Sequence, residues 1–236
     1  MSEKYLRIME RKNPELSGIE MRKSQLQFNR ELQMFTIDRP VLLCTHCTSF
    51  CRKHCYTHKA YDMYPNMETG DFRSEYVWQH LDPAKLRDEL ARKKSRDVSV
   101  VRLMSRGEAF SELEDVQRVK QLVAANPETA FWIPTRAWRD ERFRPLIEAE
   151  IMPLANAFVS ASIDPTSTRE EVRLLKYNGW SLMFFGIDDI GEAEEKFGVE
   201  FCPCPKTHDK DHPKGICLRC RQCFSEKGTA IHLKRH

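Results

Sequence analysis

The chain has 236 residues, with 38 Lys or Arg against 35 Asp or Glu and a formal net charge of +3 at pH 7. No uninterrupted apolar run approaches the roughly 20 residues that cross a bilayer, and the opening residues MSEKYLRIMERKNPE lack the apolar core of a secretory signal. These features exclude a membrane protein, predict no membrane partner, and favour a cytoplasmic location in which thiols stay reduced.

Short apolar strands alternate with helices along most of the chain. The first strand is predicted within Gln33–Leu43, and a helix capped by Asp82 is predicted over Pro83–Lys94. Four strand and helix pairs follow, namely Val98–Met104 with Ser111–Ala125, Ala130–Pro134 with Asp140–Glu150, Ala157–Ile163 with Thr168–Tyr177, and Trp180–Gly186 with Glu192–Phe197. A last strand is predicted at Val199–Phe201. The pairs Ser111 with Glu114 and Thr168 with Glu171 have the capping-box pattern of a helix start.

This alternation predicts parallel strands joined by right-handed crossovers. About six βα units are too few for a closed eight-stranded barrel, so the pattern favours an open, partial barrel or a doubly wound sheet. In either arrangement the ligand site lies at the carboxyl ends of the strands. The residues that follow the strands are therefore the candidates for function: Cys44–Cys55, Ser105–Glu108, Thr135 and Arg136, Asp164, Asp188 and Asp189, and Cys202.

The nine cysteines fall into two groups, of which the first is Cys44, Cys47, Cys51 and Cys55. Three thiols of such a loop can bind three irons of a [4Fe-4S] cluster and leave the fourth iron open for catalysis. If all four thiols bind one zinc ion instead, the site is closed and structural. The spacing favours the cluster, because zinc sites usually combine two distant C-x₂-C pairs.

The second group is Cys202, Cys204, Cys217, Cys220 and Cys223. A C-x₂-C-x₂-C run with a remote Cys-Pro resembles ferredoxin loops, which favours a second, fully ligated cluster. Zinc is the alternative at this C-terminal site, where His208 or His212 could replace a thiol. Basic residues surround this site, and a solvated basic tail is favoured over nucleic-acid binding as their interpretation. These residues are Lys206, Lys210, Lys214, Arg219, Arg221, Lys227, Lys234 and Arg235.

Gly107 and Glu108 follow the second strand and stand at the same predicted sheet edge as the first cysteines. Glycine permits close backbone approach to a ligand, and the carboxylate can bind an ammonium group. Beside a three-thiol loop, this pair is predicted to bind a cofactor.

A cysteine loop after strand one and a Gly-Glu pair after strand two resemble the layout of radical S-adenosylmethionine enzymes. The chain is also similar, over about residues 40–224, to the bacteriophage gene-product-88 family. That resemblance is carried, in order along the chain, by CTHCTSFCRKHCY, VVRLMSRGEAF, FWIPTRAW, SASIDPTST and CLRCRQCF. The usual radical S-adenosylmethionine loop is C-x₃-C-x₂-C, whereas Cys47, Cys51 and Cys55 are spaced C-x₃-C-x₃-C. The spacing leaves open which three thiols bind.

The resemblance implies an α/β fold with a partial (β/α)₆ barrel-like parallel sheet of radical S-adenosylmethionine type over residues 1–201 and a Cys-rich metal or cluster module over 202–236. It implies one or two [4Fe-4S] clusters, S-adenosylmethionine as cofactor, an electron donor and an unknown substrate. The protein would be encoded by a phage or mobile element and act in the host cytoplasm. The cofactor or substrate contacts that it implies are Gly107, Glu108, Arg136, Ser162 and Asp164.

A hypothesis from a different class is a non-enzymatic protein with two zinc sites that binds nucleic acid or a host protein. It rests on the same nine cysteines and on the basic residues around the second group. Iron and sulfide content separates the two hypotheses.

Overall fold

The computed structural model describes residues 24–64, 67–93 and 99–234. The predicted boundaries at Lys94 and Val98, and the basic residue Arg235, lie outside the described residues. No helix in the described ranges is long and apolar enough to span a membrane.

Within these ranges, eight short strands form one sheet, in the order β1-β2-β3-β4-β5-β6-β8-β7. Strand β1 pairs antiparallel with β2, and every other pairing is parallel. A mixed α/β protein with a mostly parallel sheet is thereby confirmed, whereas closure into a barrel is not seen among the described strands. The strands are β1 (Gln27–Asn29), β2 (Met34–Ile37), β3 (Val100–Leu103), β4 (Ala130–Thr135), β5 (Ala157–Ile163), β6 (Ser181–Phe185), β7 (Cys202–Pro203) and β8 (Ala230–Leu233).

Helices fill the connections between the strands. One of them lies within the first cysteine group and two lie between Cys55 and the predicted helix at Pro83, a stretch for which the sequence predicted no element. The helices are α1 (Ser49–His54), α2 (Tyr56–Met63), α3 (Met67–Gln79), α4 (Pro83–Arg92), α5 (Glu114–Ala124), α6 (Arg144–Glu150), α7 (Arg169–Tyr177), α8 (Ile190–Phe197), α9 (Pro205–His208), α10 (Ile216–Cys220) and α11 (Gln222–Ser225). Short 3₁₀ turns occur at Val41–Leu43 and Ala137–Arg139.

Capping residues in the sequence predict the starts of α4 and α7 correctly and the start of α5 incorrectly. Asp82 accepts hydrogen bonds from the first backbone N–H groups of α4, and Thr168 and Glu171 form the predicted capping box of α7. The predicted box at Ser111 is wrong, because α5 begins at Glu114 without a side-chain cap. The Ser111 hydroxyl instead donates to the Leu43 carbonyl at 2.6 Å, and the carboxylate of Asp115 binds the backbone N–H of Ser111.

The two faces of the sheet are covered differently. One face, here called the helix face, packs Phe35, Val101, Phe131 and Ile163 against the buried side chains of the helices. The other, here called the module face, carries a second apolar cluster of Met34, Val100, Trp132 and Met183, on which Phe224 of α11 packs. Alternation of side chains along each strand places the two sets on opposite faces.

The carboxyl-terminal part of the chain joins the sheet. The predicted strand at Val199–Phe201 is wrong: the strand there is β7, and Phe201 packs its ring against Phe184 of β6 at 5.7 Å between centroids. Strand β8 lies between β6 and β7, so the chain leaves the sheet after β7 and returns to pair with β6. The second group of cysteines lies mainly in this excursion.

Candidate functional site

The first cysteine group lies in a loop over residues 44–55, here called the cysteine loop, that is fixed to the carboxyl end of β5. Thr48 caps α1 by accepting a hydrogen bond from Cys51 N at 3.0 Å. Its hydroxyl donates to Asp164 Oδ2 at 2.6 Å. The cap and the contact with Asp164 therefore set the position of the thiols at the edge where the sequence predicted them.

Arg136 and Asp164 form an ion pair under this loop. Arg136 Nη1 lies 2.8 Å from Asp164 Oδ2 and donates to the Ser162 carbonyl at 3.3 Å. Burial alone would raise the pKa of Asp164, but hydrogen bonds from Thr166 and Thr48 and the charge of Arg136 lower it overall. The carboxylate is thus held ionised beside the cysteine loop.

The thiols of the loop lie within electrostatic reach of one another. A hydrogen bond from Cys47, together with the positive charge of Arg136, lowers the pKa of Cys51 to about 6. The same hydrogen bond, followed by burial, raises the pKa of Cys47. Burial, then the charges of Glu108, Cys51 and Cys55, raises the pKa of Cys44. The thiolate form is therefore favoured at Cys51 and disfavoured at Cys44 and Cys47.

Glu108 lies beside the cysteine loop, but its carboxylate is already engaged. It is buried and accepts hydrogen bonds from Thr135 Oγ1 at 2.7 Å, from Arg136 N at 3.0 Å and from Phe110 N at 3.3 Å. These contacts join the turn after β3 to the turn after β4. In this structure Glu108 fixes the position of Arg136, and contact with a cofactor ammonium stays a prediction.

Gly107 adopts a φ of +83°, which side-chain-bearing residues rarely adopt. A Cβ at this position would lie 2.5 Å from the carbonyl oxygen of Arg39. The close backbone approach that the sequence predicted therefore exists, and its partner here is the chain after β2.

The second cysteine group brings four of its five thiols together. Burial, then the neighbouring Cys204, raises the pKa of Cys217 to about 11. Burial, then Cys204 and Cys217, raises the pKa of Cys223 to about 12, and Cys220 adds to both shifts. Cys202, on β7, is exposed and is absent from these interactions.

The histidines considered as substitute ligands have other partners. His208 Nε2 lies 2.8 Å from Nδ1 of the buried His232, whose Nε2 lies 2.8 Å from the Ile187 carbonyl oxygen. His212 Nδ1 lies 3.4 Å from the Pro213 carbonyl oxygen. The arrangement assigns neither histidine to the second thiol group.

The donor chemistry of both groups suits soft metal centres. All nine cysteines are free, and thiolates select zinc and iron–sulfur clusters. As the side chains stand in the described ranges, no group of three or more His, Cys, Asp or Glu is placed to hold a metal ion. Because metal binding displaces thiol protons and is coupled to local folding, the side chains would have to close around the metal.

A cavity of about 270 Å³ with a mixed polar and apolar lining adjoins the cysteine loop and was not predicted from the sequence. Tyr56, next to Cys55, lies in its wall, and the Tyr56 hydroxyl donates to the Ser105 carbonyl. Asp38 lies in the same wall and accepts hydrogen bonds from Ser105 N and Oγ, each at 2.7 Å. The sequence feature that could have located this cavity is the position of Asp38, directly after the apolar run of β2 at the carboxyl edge of the sheet.

Together these features define a cysteine-rich α/β protein whose first thiol group lies at the carboxyl edge of a mostly parallel sheet. The chain belongs to the gene product 88 family, whose model matches residues 8–226. This match confirms the family predicted from the sequence. No curated protein and no solved structure matches the chain.

Proposed function

We propose that this protein is an iron–sulfur enzyme of the radical S-adenosylmethionine type, encoded by a phage or mobile element. The observation that carries the proposal is the convergence of the cysteine loop with Glu108, Arg136 and Asp164 at one edge of the sheet. Thiols at the carboxyl ends of parallel strands stand where α/β proteins bind their ligands.

In this proposal, thiols of the cysteine loop would hold a [4Fe-4S] cluster. The bound cluster, with S-adenosylmethionine on its open iron, would supply the reductive cleavage of the sulfonium. The chain itself contributes position and charge: Thr48 sets the start of α1, and the positive charge of Arg136 favours the thiolate form of Cys51. A fixed cation beside the thiolates also offsets the negative charge of a ligated cluster.

Glu108 supports the proposal by holding the turn that carries Arg136, since its carboxylate already accepts three hydrogen bonds. The cavity of about 270 Å³ beside Tyr56 gives a substrate a place next to the loop. Its volume is close to the lower end of the roughly 300–1,000 Å³ range of small-molecule sites. A small polar substrate suits its lining of Thr36, Asp38 and Ser105.

The test is anaerobic reconstitution of the full-length protein with iron and sulfide. Wild type is expected to become brown, and Cys51→Ser to lose one cluster's worth of iron, because a serine oxygen is a weaker ligand than a thiolate. Cys202→Ser is the matched control, since Cys202 is exposed and stands apart from the interacting thiols of both groups. The same iron content in wild type and Cys51→Ser would contradict the cluster assignment.

S-adenosylmethionine is tested separately on the reconstituted protein. Incubation with dithionite and S-adenosylmethionine is expected to release 5′-deoxyadenosine, measured by chromatography. A loaded cluster without this product would retain the iron–sulfur proposal and reject the S-adenosylmethionine part.

The alternative is a non-enzymatic protein with two zinc sites that binds nucleic acid or a host protein. The four neighbouring thiols of the second group favour zinc at that end. Binding to nucleic acid is less favoured because basic side chains there have partners in the protein: Lys227 Nζ donates to the Met152 and Leu154 carbonyls, and Lys206 pairs with Glu31 at 3.5 Å. Colourless protein with two zinc ions per chain would support this alternative.

A further inference from the structure

We propose that Cys204, Cys217, Cys220 and Cys223 bind a single zinc ion as a closed four-thiolate site, and that Arg102 of β3 is its countercharge. The site does not depend on what the cysteine loop binds. It concerns the module face of the sheet, whereas the proposed catalytic site lies at the carboxyl edge.

The structure selects four of the five thiols. A small cavity is lined by all four, together with Trp132 of the module face, and Cys202 does not line it. Cys202 and Cys204 both precede a proline and are two residues apart, yet the first is exposed on β7 and the second begins the turn into α9. Sequence spacing alone cannot distinguish the two cysteines, because either one can serve as the remote Cys-Pro that accompanies a C-x₂-C-x₂-C run.

The size of the cavity favours one ion over a cluster. Its volume is about 20 Å³, and about 10–15 Å³ is needed for a single water-sized sphere. A cube of four irons and four sulfides needs several times that space. Zinc takes four thiolates in a tetrahedral arrangement, and a site with four protein ligands is closed and structural.

The charge of the site accounts for an arginine within a strand. Zinc binding releases the four thiol protons, so Zn²⁺ with four thiolates carries a net charge of 2−. Arg102 lies half-buried on the module face, with its guanidinium 4.4 Å from the centroid of the Trp132 ring. In the described part of the chain it forms no ion pair, and its buried Nε has no hydrogen-bond acceptor.

Arg102 and Lys206 act electrostatically as cations on Cys217, and Arg102 also acts on Cys223. Placing an unpaired charge in a sheet is costly unless an opposite charge compensates it. A dianionic zinc site above Trp132 provides that charge. Phe224, next to Cys223, packs against the same Trp132 ring at 6.0 Å between centroids, so metal binding also holds the module on the sheet.

The ligand set is tested by measuring zinc in full-length protein that carries Cys51→Ser, which disables the cysteine loop as a competing site. A further Cys55→Ser in this background leaves only two thiols in the cysteine loop. After desalting, we expect one zinc per chain in the Cys51→Ser, Cys55→Ser background and with Cys202→Ser added, and loss of that zinc with Cys204→Ser added. Zinc retained by the Cys204 variant, or lost equally from the Cys202 variant, would overturn the ligand set. Iron and sulfide bound by these thiols after reconstitution would overturn the choice of zinc.

Cobalt provides a measurement that does not depend on the Cys204 variant folding. Co²⁺ added to the metal-free protein with Cys51→Ser and Cys55→Ser should give the thiolate-to-cobalt absorption of a four-sulfur tetrahedral site, unchanged by Cys202→Ser. The spectrum of a site with fewer sulfurs would overturn the proposal.

Arg102 is tested by competition of the protein with a zinc chelator. Arg102→Met is expected to weaken zinc binding about tenfold, within the range of about 10–100-fold for groups that support metal ligands. The control is Arg219→Met, because Arg219 lies between two of the thiols in sequence but is exposed. Equal affinities in the two variants would reject Arg102 as the countercharge.

Discussion

Replacing Arg39 by Met is expected to lower the free energy of unfolding by about 3–5 kcal/mol, the usual cost of removing one partner from a buried ion pair. Arg39 is fully buried. It donates to both carboxylate oxygens of Glu75 at 2.9 Å and to Asp115 at 2.7 Å. Without the guanidinium, the fully buried Asp115 would lose one of the two ion pairs that it forms in the described part of the chain and keep the one with Arg118.

The magnitude is large relative to total stability, which is about 5–15 kcal/mol for a typical protein. At about 2–4 °C per kcal/mol for a chain of this size, the melting temperature should fall by about 6–20 °C. The backbone N–H of Arg39 donates to the Arg106 carbonyl at 3.3 Å, and because methionine keeps this N–H, the contact with the turn that carries Gly107 should be retained.

Urea unfolding followed by circular dichroism measures the change. The control is Arg142→Met, which makes the same substitution in a pair with Asp140 of equal length, 2.7 Å, but with the arginine 71% exposed. That variant should leave stability close to that of the wild type, because an exposed ion pair contributes little. If Arg39→Met lowered the free energy of unfolding no more than Arg142→Met, the ion pairs of Arg39 would not stabilise the fold.

Three further predictions concern the candidate site. Gly107→Ala should destabilise the protein by about 2–5 kcal/mol, from left-handed backbone strain and overpacking against Arg39; unchanged urea unfolding would contradict this. In metal-free protein the rate of Cys51 alkylation should rise with pH through about 6, because the thiolate forms above its lowered pKa. Arg136→Met should move the midpoint of this pH profile upward. A wild-type midpoint near that of an ordinary thiol would be inconsistent with the proposed charge interaction. Glu108→Gln should cost about 1–3 kcal/mol because its amide would face a hydrogen-bond donor, while iron loading is retained; loss of iron would instead make Glu108 part of the cluster site.

Features set by local sequence were predictable. The strand Ala157–Ile163 was predicted at its observed bounds, since apolar side chains on both faces are typical of a buried parallel strand. The meeting of Cys44, Glu108 and Arg136 at one edge follows from parallel strands alone.

Features set by tertiary contacts were not predictable. The cap at Ser111 fails because its hydroxyl donates to the carbonyl of Leu43, 68 residues away along the chain, a contact that forms only in the folded protein. Strand β8 is only four residues long and carries no turn signal that distinguishes it from a loop. The separation of Cys202 from Cys204 depends on where β7 ends, which spacing does not encode.

The position of β8 between β6 and β7 has a consequence for the order of assembly. Among the described strands, β7 pairs only with β8, so it has no place in the sheet until residues 230–233 have been synthesised and have paired with β6. Cys204 follows β7 directly, and its backbone N–H donates to the His232 carbonyl of β8 at 2.9 Å. The second thiol group therefore reaches its final geometry only after synthesis has passed all of its cysteines, and a nascent chain that stops before β8 would leave Cys204 without the strand that holds it on the sheet.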